Sequence, residues 1–281
     1  MSSNKIAGIV QIIDRYEYFI IDLWGVVHDG SNLYPYSLDA IKKLALASRK
    51  VIFLSNAPRR KQKVIERLDQ FGIGREYYHD VVTSGELVYR ELQKYSLTEG
   101  RNYYFIGENR DLDLLDGLDY QIVSDMKNAN FILCTDLEEG QLDISEELKA
   151  KLSLALAKNL ILLCANPDIN IVKQTGETFY CAGYIGDYYS KIGGRVMYFG
   201  KPYHQGYDLC LELFDTKSKE KVVAIGDSFH TDITGAYNYK ISSILIMSGI
   251  HNDEIRTNSN FEKIKDRYAV CPTYHTDFFS Y

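Results

Sequence analysis

Apolar positions along the chain fall into short runs and helical stripes that alternate. Tyr18 to Ile21 is an apolar, partly β-branched run ending at Asp22, and Gly25 and Gly30 beyond it let the chain turn sharply, which predicts a strand feeding a loop. Pro35 to Leu46 carries Leu38, Ile41, Leu44 and Ala45 at helical spacing, Val51 to Leu54 reads as a strand, and Lys61 to Phe71 resumes the helical pattern with Val64, Ile65 and Leu68. Strand, helix, strand, helix predicts a parallel sheet. The alternation returns near the other end. There, Val196 to Phe199 precedes Gly200, Tyr207 to Phe214 has a helical apolar face, Val222 to Ile225 is a strand followed by a polar turn and a helix over Thr231 to Tyr239, and Ile241 to Met247 adds a buried strand. Between these halves lie further strand candidates, Tyr103 to Ile106, Phe131 to Leu133 and Leu160 to Leu163, with a helix over Ser145 to Leu156 rich in Glu, Leu, Lys and Ala. The expected organisation is a discontinuous main domain, 1–82 and 190–281, interrupted by an inserted α/β module at 83–189. Ser248 to Phe261 is polar enough to read as a surface loop.

Composition narrows the class. A chain of 281 residues makes one large domain or two of ordinary size, and 46% hydrophobic with 25% charged residues is globular usage. The formal charge of -6 argues against a basic surface tracking a nucleic-acid backbone. The 23 tyrosines and 12 phenylalanines therefore read as core and interface rings rather than stacking platforms for bases. Cys134, Cys164, Cys181, Cys210 and Cys271 are scattered without a CxxC pair or zinc spacing, as expected of reduced thiols. Met1 to Gln11 lacks the pattern of a secretion signal, and no stretch reaches 18 uninterrupted apolar residues. The expectation is a soluble, cytoplasmic protein acting at neither membrane nor nucleic acid, with homo-oligomerisation left open.

Side chains just beyond the C-terminal ends of parallel strands converge on a crevice beside helix N-termini, a favourable setting for an anion. Four clusters hold such positions: Asp22 after the first strand, Ser55 and Asn56 after Val51 to Leu54, Lys201 after Val196 to Phe199 and Gly200, and Asp227 to Asp232 after Val222 to Ile225. Asp22 and Asp227, with Asp232 as a further candidate, offer hard oxygen ligands for Mg²⁺, while Ser55, Asn56 and Lys201 can hold and neutralise phosphoryl oxygens.

These motifs, Asp22-Leu23-Trp24-Gly25-Val26, Ser55-Asn56, Gly200-Lys201-Pro202 and Gly226-Asp227-Ser228-Phe229-His230-Thr231-Asp232, resemble the haloacid dehalogenase (HAD) superfamily. Ala165-Asn166-Pro167-Asp168 and Gly183-Tyr184-Ile185-Gly186 are similar to its NagD-type, class IIA branch, in which a C2-type α/β cap interrupts a Rossmann-like parallel-sheet core. The resemblance implies a Mg²⁺-dependent hydrolase of a small phosphorylated metabolite. Asp22 would be the nucleophile, forming an aspartyl-phosphate. Asp22, the backbone carbonyl of Trp24, Asp227 and Asp232 would hold the metal. Ser55 would hydrogen-bond a phosphoryl oxygen, Lys201 would pair with the phosphoryl group and Asp22, and Asn56 would shape the loop or contact substrate. Asp168 and Tyr184, in cap and hinge segments, are further candidates for substrate contact.

The first motif departs from the family pattern, which places a second Asp two residues after the nucleophile to protonate the leaving oxygen and then activate water. Here that residue is Trp24, whose indole N–H is neither acid nor base near neutral pH, so a role worth about 10² to 10⁴ in rate is missing. Three readings stay open: hydrolysis of a substrate with a good leaving group, acid/base help from another residue, and a scaffold kept for binding a phosphorylated ligand or protein partner. His28 and Asp29, in the same loop, are candidate substitutes, although a solvated loop pair is the plainer reading. His230, beside Asp227, reads more readily as a supporting hydrogen-bonding group than as a catalyst. Phosphoryl transfer to an acceptor other than water is the rival within enzymes.

Overall fold

The computed structural model describes residues 3–94, 100–172, 177–250 and 258–281. Its main layer is a seven-stranded, wholly parallel sheet in the order Asn4–Lys5, Tyr274–Thr276, Ser242–Ile246, Val222–Gly226, Tyr18–Ile21, Lys50–Ser55 and Asp80–Thr83. The central strands are apolar at nearly every position because both faces are covered. Phe19, Ile21, Val51 and Phe53 enter one core with Ile41 and Leu44 of helix Ser37–Leu46 and Leu68 of helix Lys61–Gln70. Their alternates Ile20, Ile52 and Leu54 enter the opposite core with Leu87 and Val88 of helix Ser84–Gln93 and Tyr207 of helix His204–Phe214. This is a Rossmann-like core.

Tyr18–Ile21 lies between Lys50–Ser55, reached by the next crossover, and Val222–Gly226, reached only after the chain returns. The strand order reverses there, and the C-terminal ends of these strands open a crevice.

A second parallel sheet follows the order Arg195–Tyr198, Ile161–Cys164, Phe131–Cys134, Asn102–Ile106 and Gln121–Ile122. Helix Glu146–Ala157, capped by the Ser145 hydroxyl accepting from the Leu148 N–H at 3.1 Å, covers it through Leu148 and Leu152, and helix Ala182–Lys191 adds Ile185 and Tyr189. The additional α/β layer is that of a core carrying a cap. The strand expected to reopen the main sheet, Val196 to Phe199, belongs to this second sheet instead. Val196 and Met197 pair with Leu162 and Leu163, while Phe199, beyond the strand, joins the core under the main sheet, against which Met197 also packs. An apolar run carries no mark of which sheet receives it. Helix Ser84–Gln93, expected within the insertion, packs on the main sheet with Leu54 and Val82, in a core that continues to Phe131 and Leu133 of the second sheet.

The helix expected over Thr231 to Tyr239 opens as a π-helical turn, Phe229–Ile233, before the α-helix Thr234–Tyr239. Of the surface loop expected at Ser248 to Phe261, residues 251–257 lie outside the described residues, while Asn258–Tyr268 is a helix whose Phe261 and Ile264 are buried with Phe229. Among the described residues no helix is long and apolar enough to cross a membrane.

Candidate active site

Four buried charged side chains meet at the crevice. The Asp22 N–H donates to the Ile225 carbonyl at 2.8 Å, tying the loop after the first strand to its neighbour. Asp227 follows Gly226 at the end of that neighbour, and the π-helical turn delivers Asp232. Oxygens of Asp22, Asp227 and Asp232 all lie within 4.8 Å of one another, and the three residues are 6%, 5% and 4% exposed. Lys201, 4% exposed, donates through Nζ to Asp22 Oδ1 and, at 2.8 Å, to Asp232 Oδ1. Asp227 Oδ2 accepts from the Ile250 N–H at 2.6 Å. Gly25 has φ +86, and a Cβ there would run into the Asp227 carboxylate, so the close approach of loop and carboxylate requires glycine.

One ammonium faces three carboxylates, and the electrostatics follow. Burial pushes the Asp227 carboxyl up to about 7, with Asp232 adding to the rise. Burial also raises Asp22, opposed by Lys201 and reinforced by Asp232 and Asp227. Burial alone would lower Lys201, but Asp22 and Asp232 outweigh it and hold the ammonium firmly protonated. An all-oxygen set of carboxylates with excess negative charge suits a hard divalent cation, and Asp22, Asp227 and Asp232 can hold one.

Ser55 ends Lys50–Ser55 beside this cluster. Its hydroxyl accepts from the Ala57 N–H at 3.2 Å, so its own hydrogen is available to an acceptor in the cleft. Asn56 is committed to structure. Its Oδ1 accepts from the Lys201 N–H at 2.8 Å, and its Nδ2 donates to the Lys201 carbonyl at 3.1 Å and to Asp168 Oδ1 at 2.9 Å. Gly200, at φ +112, allows this contact, because a Cβ there would stand 2.5 Å from the Asn56 amide oxygen. Asn56 thus sets the lysine loop against the main sheet and joins it to Asp168.

Asp22, Trp24, Ser55, Asn56, Lys201, Asp227 and Asp232 line one cleft of about 900 Å³, and Asp168 and His230 line it too. Burial raises the Asp168 carboxyl, against the pull of Lys201 and the Asn56 hydrogen bond. Tyr184 does not line the cleft. Its hydroxyl donates to Asp143 Oδ1 at 3.0 Å and its ring stacks on Tyr180, which does line it.

His28 and Asp29 do not line the cleft either. The His28 ring stacks on Phe71 at 5.1 Å between centroids, and Nδ1 accepts from the Gly30 N–H at 3.0 Å. Burial, with the Arg67 guanidinium, lowers His28 to about 4, so the ring stays neutral. Asp29 Oδ1 accepts from the Ser31 and Asn32 N–H groups at 2.9 and 2.7 Å, closing the turn. Both organise the loop that carries Trp24.

The second layer contributes residues without a motif to announce them: Arg110 from the 3₁₀ helix Asn109–Leu115, Asp136 and Glu138 from a loop, and Ile171, Phe179 and Tyr180 from the antiparallel pair Asn170–Val172 and Thr178–Tyr180. Burial pushes Asp136 up to about 6. Arg59, in the loop after Ser55, also faces the cleft and pairs at 2.9 Å with Asp111, which is buried in the second layer.

A haloacid dehalogenase-like hydrolase family model matches residues 19–121, and a HAD-hydrolase-like model matches residues 198–273. The 4-nitrophenylphosphatase of Schizosaccharomyces pombe is 23% identical over 283 residues, covering 92% of this chain and 93% of that protein. Sugar-phosphatase AraL of Bacillus subtilis is 25% identical over 232 residues, covering 82% of each. Among solved structures, a haloacid dehalogenase-like hydrolase from Brucella suis superposes with a TM-score of 0.84 at 27% identity, over 96% of this chain and 98% of that one.

Proposed function

We propose, for a chain that has the haloacid dehalogenase-superfamily hydrolase fold, the activity of a Mg²⁺-dependent phosphatase that removes the phosphoryl group from a small phosphorylated metabolite through a phospho-Asp22 intermediate. The observation that carries this reading is the convergence of Asp22, Asp227, Asp232 and Lys201 in one buried cluster beside Ser55. The Asn166-Pro167-Asp168 segment, hydrogen-bonded to Asn56, supports placement in the NagD-type, class IIA branch. The second α/β layer is the cap that selects the leaving group, and five unpaired cysteines suit the cytoplasm.

An Asp22 oxygen attacks phosphorus, forming an O–P bond while the bond to the leaving oxygen breaks. Lys201 pairs with the phosphoryl oxygens and with Asp22, keeping the nucleophile aimed, and the Ser55 hydroxyl donates to a phosphoryl oxygen. Asp22, Asp227, Asp232 and the Trp24 carbonyl would hold Mg²⁺, which would supply the charge that offsets repulsion between carboxylate and phosphate. Water then attacks the aspartyl-phosphate, and Asp22 departs as a carboxylate. Because the loop offers no base for that water, an alcohol acceptor competing with water is the second reading, distinguished by analysing products in the presence of glycerol.

Phosphate release from 4-nitrophenyl phosphate, with Mg²⁺ or with chelator, tests the reading in the unmodified protein and in Asp22→Asn. Metal-dependent release that falls at least about 10³-fold in the variant is expected. Release that persists in Asp22→Asn or in chelator would overturn it.

A further inference from the structure

The loop that follows Asp22 gives the cleft no proton donor. Trp24, which lines the cleft with Asp22, presents an indole that does not release its N–H proton near neutral pH. His28 and Asp29, the titratable groups of that loop, lie outside the cleft, with His28 neutral against Phe71 and Asp29 binding two backbone N–H groups. Lys201 Nζ is engaged by Asp22 and Asp232. Asp168, which accepts from the Asn56 amide, and His230, on the turn that carries Asp232, line the cleft from other segments. With no acid two residues after Asp22, an alkyl ester is left with a poor alkoxide leaving group, whereas a phenol-like oxygen leaves readily as an anion.

A second observation, independent of proton chemistry, concerns the walls. Among polar and charged side chains such as Arg59, Arg110 and Asp136, the indole of Trp24 shares the cleft with Ile171, Phe179 and Tyr180 of the antiparallel pair and with Tyr268, which offer apolar and aromatic surface to a flat ring.

We propose that this site is specialised for phosphate monoesters whose leaving oxygen is phenol- or enol-like and attached to a planar group, with Trp24 providing a wall for that group where a proton donor would otherwise stand. The inference rests on the phosphatase reading. As the Asp22 oxygen bonds to phosphorus, the P–O bond to the ring breaks and its electron pair leaves on the phenolate oxygen, which takes its proton from bulk water after release. In the second step water adds to phosphorus, Asp22 is recovered as a carboxylate, and the protons of that water leave on inorganic phosphate. No step requires an acid or base from the protein.

The test is kcat/KM with the unmodified protein, in Mg²⁺, for 4-nitrophenyl, phenyl, benzyl and glycerol phosphates, with Asp22→Asn as the background. This ratio reports the first phosphoryl transfer even when hydrolysis of the intermediate limits turnover. Phenyl and benzyl phosphate share a ring but differ in the acidity of the leaving oxygen, so stacking is separated from proton demand. The expected result is a continuous fall from 4-nitrophenyl to phenyl to benzyl, with phenyl exceeding benzyl by about 10²-fold or more. In Trp24→Asp the phenyl-to-benzyl ratio is expected to shrink at least tenfold. Benzyl or glycerol phosphate turned over within a fewfold of phenyl, in an Asp22-dependent manner, would overturn the proposal while leaving the phosphatase reading intact. Selective loss of that alkyl turnover in Asp136→Asn or Asp168→Asn would then name the donor. Absence of Asp22-dependent release from all four esters would remove both readings.

Discussion

Asp227→Asn is expected to stabilise the metal-free protein while abolishing its response to Mg²⁺. Burial and Asp232 hold the Asp227 carboxyl at about 7, against an ordinary value of 3.8. A raised carboxyl binds its proton more tightly folded than unfolded, so it costs nothing below about pH 4 and progressively destabilises the native state as pH rises through about 7. At about 1.4 kcal/mol for each tenfold change in proton affinity, the cost approaches roughly 4 kcal/mol above that range. For a chain of this size that is about 8 °C in Tm, at about 2 °C per kcal/mol. Asparagine carries no charge, keeps an oxygen to accept from the Ile250 N–H, and fits the space against Gly25. Thermal unfolding from pH 5 to 8 in chelator should therefore show a fall in Tm for the unmodified protein that the variant largely lacks, with the variant the more stable at pH 8. Added Mg²⁺ should raise Tm in the unmodified protein and barely move it in the variant. Parallel pH profiles, or a variant less stable at pH 8 in chelator, would refute the electrostatic account of the cluster.

Lys201→Met removes the ammonium from between Asp22 and Asp232, and loss of one partner of a buried pair costs about 3–5 kcal/mol. Denaturant unfolding in chelator should show that loss, and calorimetry should show tighter Mg²⁺ binding because a repelling charge is gone; weaker Mg²⁺ binding would contradict the geometry. Asp136→Asn tests the second layer. With the carboxyl pushed up to about 6, its ionisation costs up to roughly 3 kcal/mol above that pH, so the variant should be the more stable at pH 8 and gain nothing at pH 4. A variant no more stable at pH 8 than at pH 4, relative to the unmodified protein, would argue against burial as the cause.

The convergence of Asp22 and Asp227 was legible because these side chains follow strands that announce themselves. Phe19 to Ile21 and Val222 to Ile225 are continuous apolar runs, and a carboxylate one or two residues beyond each end falls at the crevice by the geometry of a parallel sheet. The cap side was not legible in the same way. Val196 to Phe199 is an apolar run like those of the main sheet, and only the pairing of Arg195–Tyr198 with Ile161–Cys164 assigns it to the second sheet. The antiparallel pair that brings Phe179 and Tyr180 to the cleft is built from three-residue strands, too short for a period to register. Asp136 sits in a loop and Arg110 in the short 3₁₀ helix Asn109–Leu115, where sequence spacing says nothing of what they face. His28 lies near Asp22 in sequence but under the loop in space, because its ring packs on Phe71, in keeping with the plainer reading of it as a loop residue.

The central claim is covalent participation of Asp22, and mass measurement of the intact protein tests it most directly. The protein is mixed with 4-nitrophenyl phosphate and Mg²⁺, quenched in acid within the first turnovers, and weighed beside Asp22→Asn. The account predicts a fraction of the unmodified protein heavier by one phosphoryl group, localised to Asp22 by fragmentation and absent from the variant. Phosphate release at an unchanged rate in the variant, with no phosphoryl adduct on either protein, would contradict it.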